Sequence, residues 1–180
     1  MTGKVKAAYK CYAGVGSREL PEEVAEVMTD LADQLEDMGY ILRTGGATGA
    51  DEAFIDGVKD TNNVELYLPW QGYNGFESSF YTPTTGAYEI AFLNHPNWGK
   101  CKEGARKLHA RNSHIVMGPN VYPGEVIDFM ICYTPNGECV GGTGQAIRVA
   151  DYALAPVFNL GLGIDYTLGE IERFLEKNPK

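Results

Sequence analysis

Three apolar, strand-like runs in this chain each end in a glycine cluster, and a helical pattern follows each cluster. "AAYKCYAGVGSR" runs into Gly14–Gly16, "YILRT" into "GGATGAD", and "EVIDFMICYT" into "NGECVGGTGQ". Strands that alternate with helices build a parallel sheet, because a parallel pair needs a long crossover that a helix supplies. The first helix is the plainest. Leu20, Val24, Met28, Leu31, Leu35 and Met38 recur at helical spacing, Pro21 suits the first turn, and Gly39 supplies a stop. "GADEAFIDGVKD" reads as a second helix weakened by Gly57, and "VELYL" as a third strand. Residues 100–112 and "TGQAIRVADYAL" read as further helices and "APVFNL" as a last strand. "TLGEIERFLEKN" is a last helix with Thr167 as N-cap. The expected fold is α/β, a doubly wound and mostly parallel sheet with helices on both faces, formed as one domain over residues 1–180.

In such a sheet the turns after strands share the carboxyl edge, where ligands bind. Glycine lets the backbone approach a guest closely, and helix N-termini favour phosphate. Three such turns on one edge point to an anionic small-molecule site. The standard phosphate loops are missing. No GxxxxGK[ST] occurs, and "GVGSRE" breaks GxGxxG because residue 19 is Glu, which argues against a P-loop ATPase and a dinucleotide redox enzyme. The stretch "PWQGYNGFESSFYTPTTGAYEIAF" carries Trp70, Tyr73, Phe76, Phe80, Tyr81 and Tyr88 between breakers, as expected of a lid or binding loop.

The net charge of −9 opposes non-specific nucleic-acid binding. Residues 100–111 run the other way. Lys100, Lys102, Arg106, Lys107 and Arg111 against Glu103 leave a local charge of +4, either a solvated helix face or a phosphate-attracting wall. Cys11, Cys101, Cys132 and Cys139 form no CxxC pair, and His95, His109 and His114 have no metal-ligand spacing, so no metal or cofactor is expected. No apolar run is long enough to span a bilayer and no signal-peptide core is present, so the expected location is cytoplasmic, with no membrane partner.

The order of four motifs carries a resemblance. "AGVGSR", "RTGGATGADEAFIDGV", "ARNSHIVMG" and "VGGTGQAIRVADYALAPVFNLG" together resemble the SLOG superfamily of Rossmann-like proteins, which includes the DprA (Smf) and LOG branches. The pattern is most similar to the DprA-like branch, and to small stand-alone forms encoded by bacteriophages. The resemblance implies a nucleotide ligand over the glycine turns. Gly14, Gly16, Ser17 and Arg18 would form one wall, Gly45, Gly46, Thr48, Gly49 and Asp51 a second, and Arg111 with Asn112 a third. Gly141, Gly142, Thr143 and Gly144 would hold phosphate, with Gln145 beside them. It also implies a homo-oligomer, a dimer in the simplest case.

LOG enzymes carry a glutamate in PGGxGTxxE, whereas "VGGTGQAIR" puts Gln145 and Ala146 there. A neutral amide can hydrogen-bond a ribose or base but cannot serve as general base. Hydrolysis of an N-glycosidic bond of a nucleoside monophosphate would then fall to another carboxylate, with Glu89 and Asp51 as the catalytic candidates. The alternatives are a receptor or sponge that holds a nucleotide unchanged, and a DprA-like binder of single-stranded DNA.

Overall fold

The computed structural model describes residues 10–179. Five strands form one sheet: β1 (Cys11–Gly16), β2 (Ile41–Thr44), β3 (Val64–Leu66), β4 (Phe129–Tyr133) and β5 (Val157–Asn159). Their order is β3-β2-β1-β4-β5, and every pairing is parallel. The α-helices are α1 (Glu22–Asp37), α2 (Ala50–Gly57), α3 (Thr85–Asn94), α4 (Glu103–Met117), α5 (Gly141–Tyr152) and α6 (Ile164–Lys177). The α/β, Rossmann-like fold expected from the sequence is the one observed.

Strand alternation divides the core. Tyr12, Leu42, Phe129 and Ile131 face α1, α2 and α6, while Ala13, Val15, Met130 and Cys132 face α4 and α5. An aromatic stack of Tyr12 on Phe129, with centroids 5.8 Å apart, centres the first layer. Burying each such ring stabilises the fold by roughly 1.5–3 kcal/mol. Gly57, a weak helix former, has a packing reason. A Cβ there would lie 2.2 Å from the Thr29 carbonyl oxygen, so only glycine lets α2 approach α1 this closely.

Two elements differ from the sequence reading in their bounds. α6 starts at Ile164, because Gly163 (φ 125°) makes the turn; Thr167 lies inside the helix and donates its hydroxyl to the Asn159 carbonyl rather than capping. α4 runs on past residue 112 to Met117, because Ile115, Val116 and Met117 are core residues, and it stops at Gly118 (φ 81°). α3 does not lie on the sheet. It packs on α4 through Ala87, Ala91 and Ala110, forming an outer layer.

His114 ties α3 to α4. The Gly118 carbonyl can only accept and the Thr84 N–H can only donate, so the ring is neutral, donating from Nδ1 (2.9 Å) and accepting at Nε2 (3.1 Å). Burial pushes its pKa below the usual 6.5, although the Gly118 carbonyl and Glu125 pull the other way. The folded chain therefore takes up this proton later than the unfolded chain. The stabilisation is complete above pH 6.5 and is lost as pH falls through the lower folded value. We expect the His114 ring resonances to titrate with a midpoint below 6.5, and unfolding free energy by urea to be lower at pH 5.5 than at pH 7.5. A His114 midpoint at or above the ordinary value would refute a buried, neutral ring.

Candidate functional site

The sheet order reverses between β1 and β4. The chain leaves β1 for α1 on one face and leaves β4 for α5 on the other. The crevice at that switch point is where open parallel sheets bind ligands. Here it holds a cavity of about 590 Å³, lined by Gly16 at the end of β1, Ser17, Arg18 and Glu19 after it, Asp51 of α2, His109, Arg111 and Asn112 of α4, and Gly141, Gly142 and Thr143 of α5. That size falls within the range of small-molecule sites, about 300–1,000 Å³.

The α5 terminus is the best-defined wall. The first amides of a helix have no intrahelical acceptor. Gly144 makes the first such bond, to the Val140 carbonyl at 2.8 Å, which leaves the amides of Gly141, Gly142 and Thr143 ahead of it. Val140 is the N-cap residue and offers no side-chain cap. Asn112 steadies this turn by donating from Nδ2 to the Gly142 carbonyl at 3.0 Å. Arg18, which also lines the cavity, is exposed in the turn after β1. The Ser17 amide is taken by the Tyr133 carbonyl, and the Ser17 hydroxyl accepts the Glu19 amide.

A buried pair of charges forms the floor. Asp51 and Arg111 are 4% and 5% exposed. Asp51 Oδ2 accepts from the Gly45 and Ala47 amides at 3.1 and 3.2 Å. Burial raises the Asp51 pKa; Arg111 and these amides counter it. Burial likewise lowers that of Arg111, against the pull of Asp51, and a guanidinium keeps its charge in such surroundings. Arg111 donates from Nη1 to the Gly45 and Tyr67 carbonyls and lies 5.6 Å from the Tyr73 ring. Its Nε is buried without a hydrogen-bond partner.

The sequence-derived residues divide between this cavity and the scaffold. Gly16, Ser17, Arg18, Asp51, Arg111, Asn112, Gly141, Gly142 and Thr143 line the cavity together. Gly14 lies inside β1, where a Cβ would strike Phe54 and Leu42. Gly45, Gly46, Thr48 and Gly49 form the turn after β2 without lining the cavity. The amides of Gly45 and Gly49 go to Asp51 and Glu52, a Cβ on Gly49 would meet the Ser17 and Arg18 carbonyl oxygens, and Thr48 is exposed. Gly144 packs on Cys139. Gln145 is buried as a strut, donating to the Ala91 carbonyl and accepting from Arg148. Glu89 is exposed on α3 and lines a separate groove with Tyr88, Trp98 and Arg106.

The aromatic segment covers the turn after β2, not the cavity. Tyr73 lies under Arg111, Phe76 meets Gly46, Asn74 donates to the Gly46 carbonyl, and Phe80 stacks on Tyr67 at 4.8 Å. The basic segment also disperses. Arg111 turns inward, Arg106 lies 5.4 Å from the Trp98 ring, and Lys107 pairs with Glu103. Lys100 and Lys102 remain exposed.

Sequence reasoning missed two features. Glu19 lines the cavity. His95, Cys101 and His109, which show no ligand spacing along the chain, place one ligand-type atom each within 4.8 Å of one another. The α3–α4 hairpin brings them together, and only a prediction that those two helices pair would have found them.

No protein-family model and no curated protein sequence matches the chain. Among solved structures, the fold is similar to that of DNA processing protein A from Helicobacter pylori, a structure that concerns its unique single-stranded DNA binding mode. The TM-score is 0.53 at 16% identity, over 84% of this chain and 65% of that chain. No helix among the described residues is long and apolar enough to cross a membrane. At this identity the likeness is one of architecture: the chain has a Rossmann-like α/β fold of the kind seen in DNA processing protein A.

Proposed function

We propose that this chain is a small SLOG-type protein that binds a nucleotide or a related phosphorylated small molecule in the switch-point cavity and holds it unchanged. One observation carries the reading: the uncapped N-terminus of α5 opens on a cavity of about 590 Å³ that Arg18 and Arg111 also line. The amides of Gly141, Gly142 and Thr143 and the helix dipole suit a phosphate, and Arg18 of the same cavity lining adds a positive charge. The remaining volume, walled by Val15, Leu108, Val140 and Ala146, takes the less polar base or sugar.

Binding without turnover is favoured over hydrolysis by the carboxylates on hand. Asp51 is committed to the Gly45 and Ala47 amides, Glu19 is exposed at the rim, and Glu89 lies in another groove. A DprA-like role on single-stranded DNA has the fold likeness in its favour, but the basic segment presents only Lys100 and Lys102 to solvent apart from paired or stacked neighbours.

The test is a melting-temperature screen against nucleoside mono-, di- and triphosphates and cyclic nucleotides, with free base measured in parallel. A ligand at about 100 times its Kd adds about 2.7 kcal/mol, a readily seen shift. We expect stabilisation by at least one nucleotide and no release of base. Release of base would replace holding by hydrolysis. Failure of every nucleotide, together with a salt-sensitive gel shift on single-stranded DNA, would replace this reading by the nucleic-acid one.

A further inference from the structure

Beside the cavity stands a cluster with the composition of a metal centre. His95 follows the last residue of α3, Cys101 lies in the link to α4, and His109 is on α4. Cys101 Sγ is 3.8 and 3.7 Å from the two ring nitrogens of His95, and the His95 and His109 rings are 4.4 Å apart. One donor atom from each residue lies within 4.8 Å of the others. Two imidazoles and a thiolate around a tetrahedral zinc ion stand about 3.3–3.6 Å apart, given metal–ligand bonds of about 2.0–2.3 Å. Small rotations of these side chains would close the set.

We propose that His95, Cys101 and His109 form a binding site for a divalent transition metal of the zinc class, with a fourth position open to water. The strongest support is a cost that the metal removes: His109 Nδ1 is buried with no hydrogen-bond partner. A buried polar atom left unpaired costs roughly 1–3 kcal/mol, and a metal bond relieves it. Two half-buried histidines and one thiol form the donor set that selects zinc over magnesium or calcium, which prefer oxygen.

Two features of the surroundings bear on the chemistry. His95 Nδ1 accepts the Asn97 amide at 3.1 Å; ligation through that nitrogen returns this exposed amide to water. Arg148 and Arg111 bring positive charge near His109. Arg148 is itself held by the Asn94 carbonyl and Gln145. The Cys101 thiol gives up its proton to solvent as the metal binds, and the resulting thiolate offsets part of that charge. His109 also lines the cavity, so the metal would stand at its wall, but its binding does not depend on what the cavity holds.

The experiment is titration of the reduced, metal-free protein with cobalt(II), followed by displacement with zinc. We expect one equivalent to give a thiolate-to-cobalt charge-transfer band and tetrahedral visible bands, and zinc to abolish both. Cys101→Ser should remove the charge-transfer band, and His95→Gln and His109→Gln should weaken binding at least about tenfold, with circular dichroism reporting that each variant is folded. Cys139→Ser should bind as the unaltered chain does. Absence of the band in the folded unaltered protein, or its survival in Cys101→Ser, would overturn the proposal. If Cys101→Ser does not fold, unchanged affinity in both histidine variants would overturn it equally.

Discussion

Replacing Arg111 by methionine will destabilise the fold by about 3–5 kcal/mol, the usual cost of removing one member of a buried charge pair. Methionine keeps most of the length and apolar stem, so the loss is not one of volume. It is electrostatic: Asp51, 4% exposed, loses its countercharge, and the Gly45 and Tyr67 carbonyls lose their donor. The sign of the pH dependence follows. A carboxyl whose folded pKa is raised by burial contributes stability below its unfolded value and loses it as pH rises through the folded value. Without Arg111 that upward displacement grows, so the deficit of Arg111→Met will be smaller at pH 5 than at pH 8. Adding Asp51→Asn will restore part of the loss. Urea denaturation of the two single variants and the double variant measures all three statements. A deficit under about 1 kcal/mol, or no recovery in the double variant, would mean that the pair is not coupled.

The second large effect separates stability from binding. Gly142→Asp places a carboxylate in the first turn of α5. A Cβ at Gly142 meets nothing within 4 Å and the residue does not have a positive φ, so the substitution is sterically free. A negative charge at a helix N-terminus stabilises it by about 0.3–1 kcal/mol. The same charge occupies the position proposed for the phosphate. We expect the variant to melt no lower than the unaltered chain, while nucleotide affinity falls at least about a hundredfold. Arg18→Ala should cost about 10–100-fold, as expected for loss of one charged hydrogen bond. Nucleotide affinity within about threefold of the unaltered chain in Gly142→Asp would remove α5 from the site, whatever happened to stability.

Much of the fold was legible because its signals are local. The 3.6-residue spacing from Leu20 to Met38 predicted α1, and the unbroken apolar run before Thr134 predicted β4, which is covered on both faces. Errors fell where a boundary depends on a neighbour. Thr167 has the chemistry of an N-cap, but Gly163 had already turned the chain, and the Thr167 hydroxyl found the Asn159 carbonyl instead. The aromatic segment has the composition of a lid, yet Tyr73, Phe76 and Phe80 are spent on Arg111, Gly46 and Tyr67.

The glycine turns teach the same lesson at the candidate site. "GGATGAD" and "VGGTGQ" look alike as strings. Asp51 and Glu52 fold back on the first and consume the amides of Gly45, Ala47 and Gly49, whereas Val140 offers the second no cap. What the sequence by itself determined is the succession of strands and helices, and hence a parallel sheet whose carboxyl edge gathers the glycine turns. Only the tertiary structure decided which turn keeps its donors, that Gln145 is a strut, and that His95 and Cys101 meet His109. Helical and strand periodicity depends on residues a few positions apart, but hydrogen-bond partners and side-chain clusters are assigned between segments that become neighbours only when the helices pack.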